Sequence, residues 1–493
     1  MPIFSEHSPT GWRERGARSA AFALASLALL LLLALAPRPY DAAAGQEVTL
    51  TGPLTITHDV FGNGDPQEGY DAPSPGYLSS LTLPPDGNAV RAVGAVNVTT
   101  FNIVGGAAMA IGSGVSVGYN LVIAEGAGQT MASSDGAIYG GQARGVGVAG
   151  DATARENWIV AADGGELTAK YYIHAGFADT EYGVAQAYGN QIAAFNGGSL
   201  NSGETIYAGR AVSEFGDAQA FGNRVIVDDG GAIYAPRVYG GLAGYGAFSV
   251  AANNRVEISY GVITERVIGG YANSLDGLAI ASDNLVAISG GVISGRIAGG
   301  YTESAGVNNA VNNRVEISGV AIISGDIIGG AVTSYSNSSS VAAHDNRVDI
   351  SGTPILTGAS LYGGYKDFGT GDVFSGNALN LKASGLTAMA IANFEFLNFY
   401  LPASARAEDV ILTISGVASF QDDAVSQFST VSMAIPGAAT PLKPGERIIL
   451  IGSANPLDGS PANGAVAAAQ GVALTHDFRL DASGNQLVAT LAG

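Results

Sequence analysis

The sequence has no cysteine among its 493 residues. This absence excludes disulfide bonds, zinc–thiolate centres and catalysis by a cysteine nucleophile. Charged residues make up only 13% of the chain, and 42 acidic residues against 22 basic ones give a net charge of −20. Nucleic acid and anionic membrane surfaces are therefore poor partners. Without disulfides, a chain of this length must draw its stability from backbone pairing and an apolar core.

Helical periodicity is also missing after residue 44, where good helix formers such as Lys and Glu are sparse. Glycine is abundant instead, with 71 residues, and hydrophobic residues account for 47% of the chain. This hydrophobic content is too high for a disordered protein. The composition favours an all-β fold with an extensive core.

A degenerate repeat of about 30 residues dominates the sequence. Residues 254–259, 313–318 and 346–351 read NRVEIS, NRVEIS and NRVDIS, and looser copies occur elsewhere. Each copy begins with an asparagine, and these are Asn120, Asn157, Asn190, Asn223, Asn254, Asn284, Asn313, Asn346 and Asn377. A fixed period on this scale predicts a solenoid rather than a compact domain.

Each repeat unit predicts two strands. Val256 and Ile258 alternate with Arg255 and Glu257, and side chains of a strand alternate between its faces. A second strand follows and ends in a Gly-Gly pair, which we expect to break the strand at a sharp corner. The predicted fold is a right-handed parallel β-helix with one coil per repeat and about 4.8 Å between coils. Its handedness is inferred from the general rule for parallel crossovers.

The repeat also predicts what the coils contain. Val, Ile and Leu should fill the lumen, and the leading asparagines should stack as a ladder of side-chain amides. Outward Arg255 and Glu257 should pair along or between coils; a row of arginines that binds a polyanion is the disfavoured alternative. The variable stretches 271–283, 301–312 and 331–345 are predicted to be binding loops on one face.

The N-terminus has the pattern of a secretory signal peptide. Arg13, Arg15 and Arg18 precede an apolar run over residues 20–36, and Ala42 and Ala44 provide a small-residue cleavage site. A permanent membrane anchor is the alternative, although the run is short for a spanning helix. We therefore expect cleavage near Ala44 and a secreted or cell-surface location.

Composition divides the chain into four predicted regions. Residues 1–44 form the signal peptide, and residues 45–118 the N-terminal cap with the first coils. Residues 119–376 form the regular shaft, and residues 377–493 the last coils and C-terminal cap. Caps are expected because an open coil would expose its lumen and strand edges.

These motifs resemble the passenger region of bacterial autotransporters. The resemblance is carried by the signal peptide, by residues 284–291 (NLVAISGG), by residues 299–301 (GGY) and by residues 399–402 (FYLP). It covers most of residues 85–493. It implies a right-handed β-helix displayed on, or released from, a Gram-negative cell through an outer-membrane β-barrel.

The sequence departs from that family pattern at its C-terminal region. We find there no succession of amphipathic strands of about ten residues and no terminal aromatic residue. Three alternatives remain: the chain is a fragment, the barrel is a separate gene product, or export takes another route.

Several short motifs resemble catalytic, cofactor-binding or metal-binding motifs, but each lacks the surrounding sequence pattern that such a motif requires. Residues 114–118 (GVSVG) match a nucleophile elbow around Ser116, yet no helix pattern follows. Residues 145–150 (GVGVAG) match a dinucleotide fingerprint without a βαβ unit. The acidic loop 59–71 has hard oxygen ligands for Ca²⁺ but lacks an established calcium pattern. The sequence therefore predicts no catalytic residues, no cofactor and no metal site.

A β-helical polysaccharide lyase or hydrolase is the alternative function, since such enzymes cluster carboxylates on one outer face. Adjacent acid pairs occur at 228–229, 408–409 and 422–423, and the first departs from the repeat. The favoured interpretation is a non-enzymatic stalk or adhesin that contacts a glycan or protein.

Overall fold

The computed structural model describes residues 47–50, 54–55, 60–61, 88–92, 97–100, 102–111, 114–134, 136–146, 150–402, 404–422, 427–435, 442–470 and 474–492. They belong to one compact unit, Ala44–Gly493. The predicted signal peptide and almost all of the acidic loop 59–71 lie outside the described residues.

The described residues form strands, turns and bends, without a helix. Successive strands stack in parallel as a β-solenoid of about 11 turns with coils of roughly 32 residues. This arrangement confirms the fold class predicted from the repeat.

Three parallel stacks of strands run along the solenoid. The first sheet contains Glu47–Leu50, Ala89–Ala92, Leu121–Glu125, Trp158–Ala162, Gln191–Phe195, Arg224–Val227, Arg255–Ile258, Leu285–Ile288, Arg314–Ile317, Arg347–Ile350, Ala378–Leu381, Leu386–Ala388, Phe396–Tyr400, Val410–Ile414, Thr430–Ala434, Arg447–Ser453, Ala465–Gln470, Leu474–Ser483 and Gln486–Leu491.

The second sheet contains Leu54–Thr55, Val60–Phe61, Asn97–Thr100, Ile103–Ile111, Thr130–Ser133, Ile138–Val146, Glu166–Ala169, Tyr172–Thr180, Ser199–Ser202, Thr205–Ser213, Ala232–Gly244, Gly261–Asn273, Val292–Ile293, Arg296–Ser304, Ile322–Ile323, Ile327–Ser334, Ser360–Lys366 and Ala390–Ala392.

The third sheet contains Val115–Gly118, Ala152–Arg155, Ala185–Tyr188, Asp217–Phe221, Phe248–Ala252, Leu278–Ser282, Val307–Val311 and Val341–Ala342. A short antiparallel pair, Gln421–Asp422 and Gln427–Phe428, lies outside these stacks. At the C-terminal end, the last four strands of the first sheet pair with one another in antiparallel fashion.

Two apolar layers fill the coils that contain strands of all three sheets. Val256, Ile258, Ile263 and Val267 lie in the lumen between the first two sheets, as predicted. A second layer, mostly alanine, lies between the third sheet and the later part of the second-sheet strands. It includes Ala218, Ala220, Ala243, Ala251, Ala272 and Ala279. These small side chains allow the two sheets to pack closely.

The predicted asparagine ladder is present along the junction between the third and first sheets. From Asn88 to Asn346, Nδ2 of each asparagine donates to Oδ1 of the next at 2.7–3.1 Å. The backbone N–H of Asn346 donates to Oδ1 of Asn377 at 2.8 Å. The ladder thus includes Asn88, one coil before the first asparagine of the sequence repeat.

The prediction that the Gly-Gly pair breaks the strand was wrong. Gly269 and Gly270 lie inside the continuous strand Gly261–Asn273, and neither has a positive φ. A Cβ atom on Gly270 would lie 2.4 Å from Cγ of Asn284, so the glycine makes room for the ladder. The left-handed residue precedes the ladder instead, as at Asp283 with a φ of 57°.

The prediction that residues 271–283, 301–312 and 331–345 are loops was wrong for most of the first two stretches and for part of the third. The first two stretches contain third-sheet strands, Leu278–Ser282 and Val307–Val311, and the third contains Val341–Ala342. Only short turns around residues 274–277, 305–306 and 335–340 separate these strands from the second sheet. Those turns form one corner of the solenoid.

Candidate binding surface

The corner between the second and third sheets is built by a repeated hydroxyl cap. The Oγ atom of Ser213 accepts a hydrogen bond from the Gly216 N–H at 2.9 Å and donates to the Gly183 carbonyl at 2.9 Å. Ser274 and Ser304 accept from N–H groups of their own turns in the same way. Hydroxyl side chains favour such local turns because they replace a backbone acceptor.

A large apolar side chain lies at the outer tip of most of these turns. We call the resulting set the corner row; it consists of Tyr182, Phe215, Tyr245, Leu275, Tyr335 and Phe368, each between 36% and 57% exposed. The rings of Tyr182 and Phe215 stack with centroids 5.0 Å apart. Ala305 occupies the turn between Leu275 and Tyr335. The row therefore forms a discontinuous aromatic strip along the solenoid.

A network of phenols and carboxylates lies beside the corner row. The hydroxyls of Tyr271 and Tyr335 both donate to the carboxylate of Glu303. Burial, followed by the Glu303 charge, holds the pKa of both phenols well above 10. These tyrosines consequently remain neutral donors and leave Glu303 as the acceptor of the cluster.

A second cluster continues this network toward the C-terminus. The hydroxyls of Tyr301 and Thr333 lie 2.8 Å apart, Thr333 donates to Oδ2 of Asp367 at 2.9 Å, and Tyr365 donates to Oδ1 of Asp367 at 2.8 Å. Oxygen acceptors thus occur on successive coils next to exposed rings. Such a surface can contact a ligand that combines apolar faces with hydroxyl groups.

A buried aromatic stack occupies earlier coils of the second sheet. His174 is fully buried, and its ring stacks between those of Tyr139 and Tyr207, at centroid distances of 5.2 and 4.9 Å. Burial lowers the pKa of His174 well below 6.5, and the nearby Arg210 lowers it further. The imidazole is therefore neutral and serves as a packing element.

The predicted charge pairs connect the coils on the outer face of the first sheet. Arg255 pairs with Glu257 in its own strand, and Arg224 reaches Glu257 from the preceding coil at 3.2 Å. Asp349 accepts from Arg314 at 2.9 Å and from Arg347 at 2.7 Å. These arginines face carboxylates, which supports the pairing prediction over a row that binds a polyanion.

The structure gives Asp229 a role in backbone geometry. Asp229 and Gly230 have φ values of 48° and 78°, and the Gly231 N–H donates to the Asp228 carbonyl at 2.8 Å. Asn196 adopts a φ of 50° at the corresponding turn of the preceding coil. The acid pair therefore occupies a stacked tight turn with positive φ at both central positions.

The structure does not bring the other candidate residues from the sequence together in one site. Glu408 pairs with Arg447 at 2.8 Å, whereas Asp409 accepts the backbone N–H of Arg406 at 2.7 Å. Ser116 is exposed within the strand Val115–Gly118. The side chains of residues 422–423 and the backbone of 147–149 lie outside the described part of the chain.

Within the described ranges, no group of three or more His, Asp or Glu side chains is arranged to hold a metal ion. The same residues contain no helix that is long and apolar enough to cross a membrane. The surface with the most distinctive chemistry is therefore the corner row and the tyrosine–carboxylate clusters beside it.

These features define a parallel β-solenoid in which one corner exposes the corner row beside the tyrosine–carboxylate clusters. No family model, curated protein or solved structure matches this chain.

Proposed function

We propose that this protein is an exported, non-enzymatic solenoid of the autotransporter-passenger type, which acts as a cell-surface or secreted stalk and adhesin. The observation that carries the proposal is the corner row, which exposes a large apolar side chain on most of seven successive turns. Regular coils hold these side chains at a fixed separation of about 4.8 Å along the axis. A rigid, repetitive surface of this kind is suited to extended partners.

A glycan is the partner class that the surface chemistry favours. Exposed rings such as Phe215 and Tyr335 offer faces for the apolar side of a sugar ring, and the carboxylates of Glu303 and Asp367 accept hydrogen bonds. The acidic chain disfavours anionic polymers, so the preferred ligand is a neutral glycan. A protein ligand is the other outcome that the binding test distinguishes.

The binding test compares two exposed phenylalanines. Phe215 lies in the corner row and is 57% exposed, whereas Phe428 lies elsewhere and is 49% exposed. Phe215→Ser should weaken retention on immobilised neutral glycans at least fivefold, and Phe428→Ser should leave it unchanged. Equal loss in both variants, or binding that survives enzymatic removal of glycans from target cells, would contradict the glycan assignment.

Export is tested by fractionating the native cells with an antibody against residues 119–376. A species near the mature mass in the medium indicates a released shaft. A larger species in the outer membrane, clipped by protease added to intact cells, indicates display through an attached export partner. Retention of the whole protein in the cytoplasm would refute the proposed location.

A further inference from the structure

An uncharged apolar surface, separate from the corner row, covers part of the outer face of the second sheet. One outward column passes in register through five consecutive coils. We call this column the apolar ridge; its residues are Tyr234, Val262, Val292, Ile322 and Ile355, each 38–52% exposed. Tyr260 and Val320, which are 56% and 71% exposed, extend it sideways.

The apolar ridge begins where the side chains of this column change from polar to apolar. In the two preceding coils the same column contains Thr168 and Asn201. Both side chains hydrogen bond to Glu166, at 2.9 and 2.7 Å, and form a polar outer surface. The apolar residues therefore occupy a defined length of the solenoid rather than its whole face. An apolar patch of limited extent on a soluble surface is typical of an interaction site.

Charge is absent from the columns on both sides of the ridge. The positions two residues before it are Tyr260, Gly290, Val320 and Thr353, and those two residues after it are Thr264, Ser294, Ser324 and Thr357. The nearest charges at the rim include Arg237 and Glu265, which pair with each other. Glu265 and Asp326 lie at the edge of this surface. Two copies of this chain, each with a net charge of −20, can therefore meet over the ridge and its flanking columns with carboxylates only at the rim of the contact.

We propose that the apolar ridge is a self-association site, where the ridge of one copy packs against the ridge of a second copy. Two flat parallel sheets can pack face to face about 10 Å apart, with β-branched side chains interdigitating. The chemistry favours an apolar partner over a glycan, because four of the five ridge residues are Val or Ile, which lack the hydroxyl groups and rings that bind sugars, and Tyr234 is the exception. The net negative charge disfavours an anionic membrane surface.

The size of the surface sets the strength of this association. Five coils at about 4.8 Å and three outward columns about 7 Å apart cover on the order of 400 Å². A standard stable interface buries about 800 Å² per partner. The ridge should therefore support a weak, reversible dimer that forms at high local concentration, as on a crowded surface.

The association is tested by sedimentation velocity of the purified protein from micromolar to several hundred micromolar concentrations. We expect the average mass to rise toward that of a dimer, and added salt to favour the dimer because it screens repulsion between acidic chains. Val292→Glu, at the centre of the ridge, should weaken association at least tenfold. Val307→Glu is the matched control, since Val307 is 40% exposed on the third sheet.

Cross-linking provides a second readout that does not depend on affinity. The chain has no cysteine, so a single Val292→Cys substitution should give a disulfide-linked dimer under mild oxidation, whereas Val307→Cys should not. A protein that stays monomeric throughout the concentration series would overturn the proposal. Equal effects at Val292 and Val307 in either assay would also overturn it.

Discussion

Asn284 donates through Nδ2 to Oδ1 of Asn313 at 3.0 Å, and its backbone N–H donates to the same oxygen at 3.2 Å. Its Nδ2 also donates to the Ala251 carbonyl at 2.9 Å. One buried side chain thus connects its own coil to the next coil and to the third-sheet strand Phe248–Ala252. Because both the oxygen and the nitrogen of each amide form hydrogen bonds, the ladder connects successive coils along the solenoid.

Asn284→Ala should destabilise the protein by about 2–4 kcal/mol. The substitution leaves the N–H and Nδ2 of Asn254 without their acceptor, and buried donors without partners are costly. Urea unfolding monitored by circular dichroism would measure the change. Asn337→Ala in an exposed turn is the control, and it should change stability by less than about 0.5 kcal/mol. Similar midpoints for the two variants would contradict the role of the ladder.

Gly270→Ala should lower the free energy of unfolding by about as much as Asn284→Ala does. The new Cβ would lie 2.4 Å from Cγ of Asn284, so the strand or the amide must shift. The double variant Gly270→Ala/Asn284→Ala should be more stable than the sum of the single effects predicts, because one change removes the clash made by the other. Gly464→Ala, with no heavy atom within 4 Å of the added Cβ, should be tolerated.

The repeat predicted the lumen and the ladder because both depend on strong, local signals. Val256 and Ile258 alternate with charged residues, and the leading asparagines recur at a nearly fixed interval. The third sheet escaped prediction because its buried residues, such as Ala279 and Ala281, are small and give only a weak apolar signal. The sequence feature that could have identified the true corner is the Asn, Asp or Gly before most ladder residues, as at Asp283, with Tyr119 and Glu156 as exceptions.

The corner row was harder to predict than the coils. Phe215, Leu275 and Tyr335 each follow a capping Ser within two residues and recur at an even interval of 60 residues. The positions midway between them hold Tyr245 and Ala305, so the row has no constant residue type that a sequence pattern could detect. The side chains align because the coils stack in register.

Acidification should destabilise the wild-type protein through His174. Because burial lowers its folded pKa well below 6.5, the unfolded chain binds the proton more readily, and this stability is lost as pH falls below 6.5. Between pH 7.5 and 5.5, wild type should lose about 1.4 kcal/mol more than His174→Phe does. Urea unfolding at the two pH values tests this. Equal losses in both proteins would show that the folded imidazole takes up a proton.

Substitutions at Asp229 distinguish between two roles for this residue, as a turn-forming residue or as a catalytic acid. Asp229→Asn should leave stability nearly unchanged, because Asn196 has the same backbone conformation one coil earlier. Asp229→Val should destabilise the protein by about 1–3 kcal/mol, since a β-branched residue resists positive φ. If the native protein cleaves a polysaccharide and Asp229→Asn abolishes the cleavage, the enzymatic alternative gains direct support.

Deletion of residues 284–312 should yield a folded solenoid that is one coil shorter. The deletion joins Asp283 to Asn313, and Asp283 has the same φ of 57° as Asn312, which it replaces before the ladder. Asn254 can then donate to Asn313, and Val262 can stack on Ile322 as it now does on Val292. Each coil contacts chiefly its neighbours, so a whole coil can be removed without breaking distant packing.

Deletion of residues 284–298 is the control. It removes about half a coil, joins Asp283 to Gly299 and puts every later strand out of register. Far-UV circular dichroism and protease resistance should therefore remain near wild type for the first deletion and collapse for the second. Failure of both proteins to fold would indicate that stability depends on the particular sequence of coils rather than on pairing between neighbours.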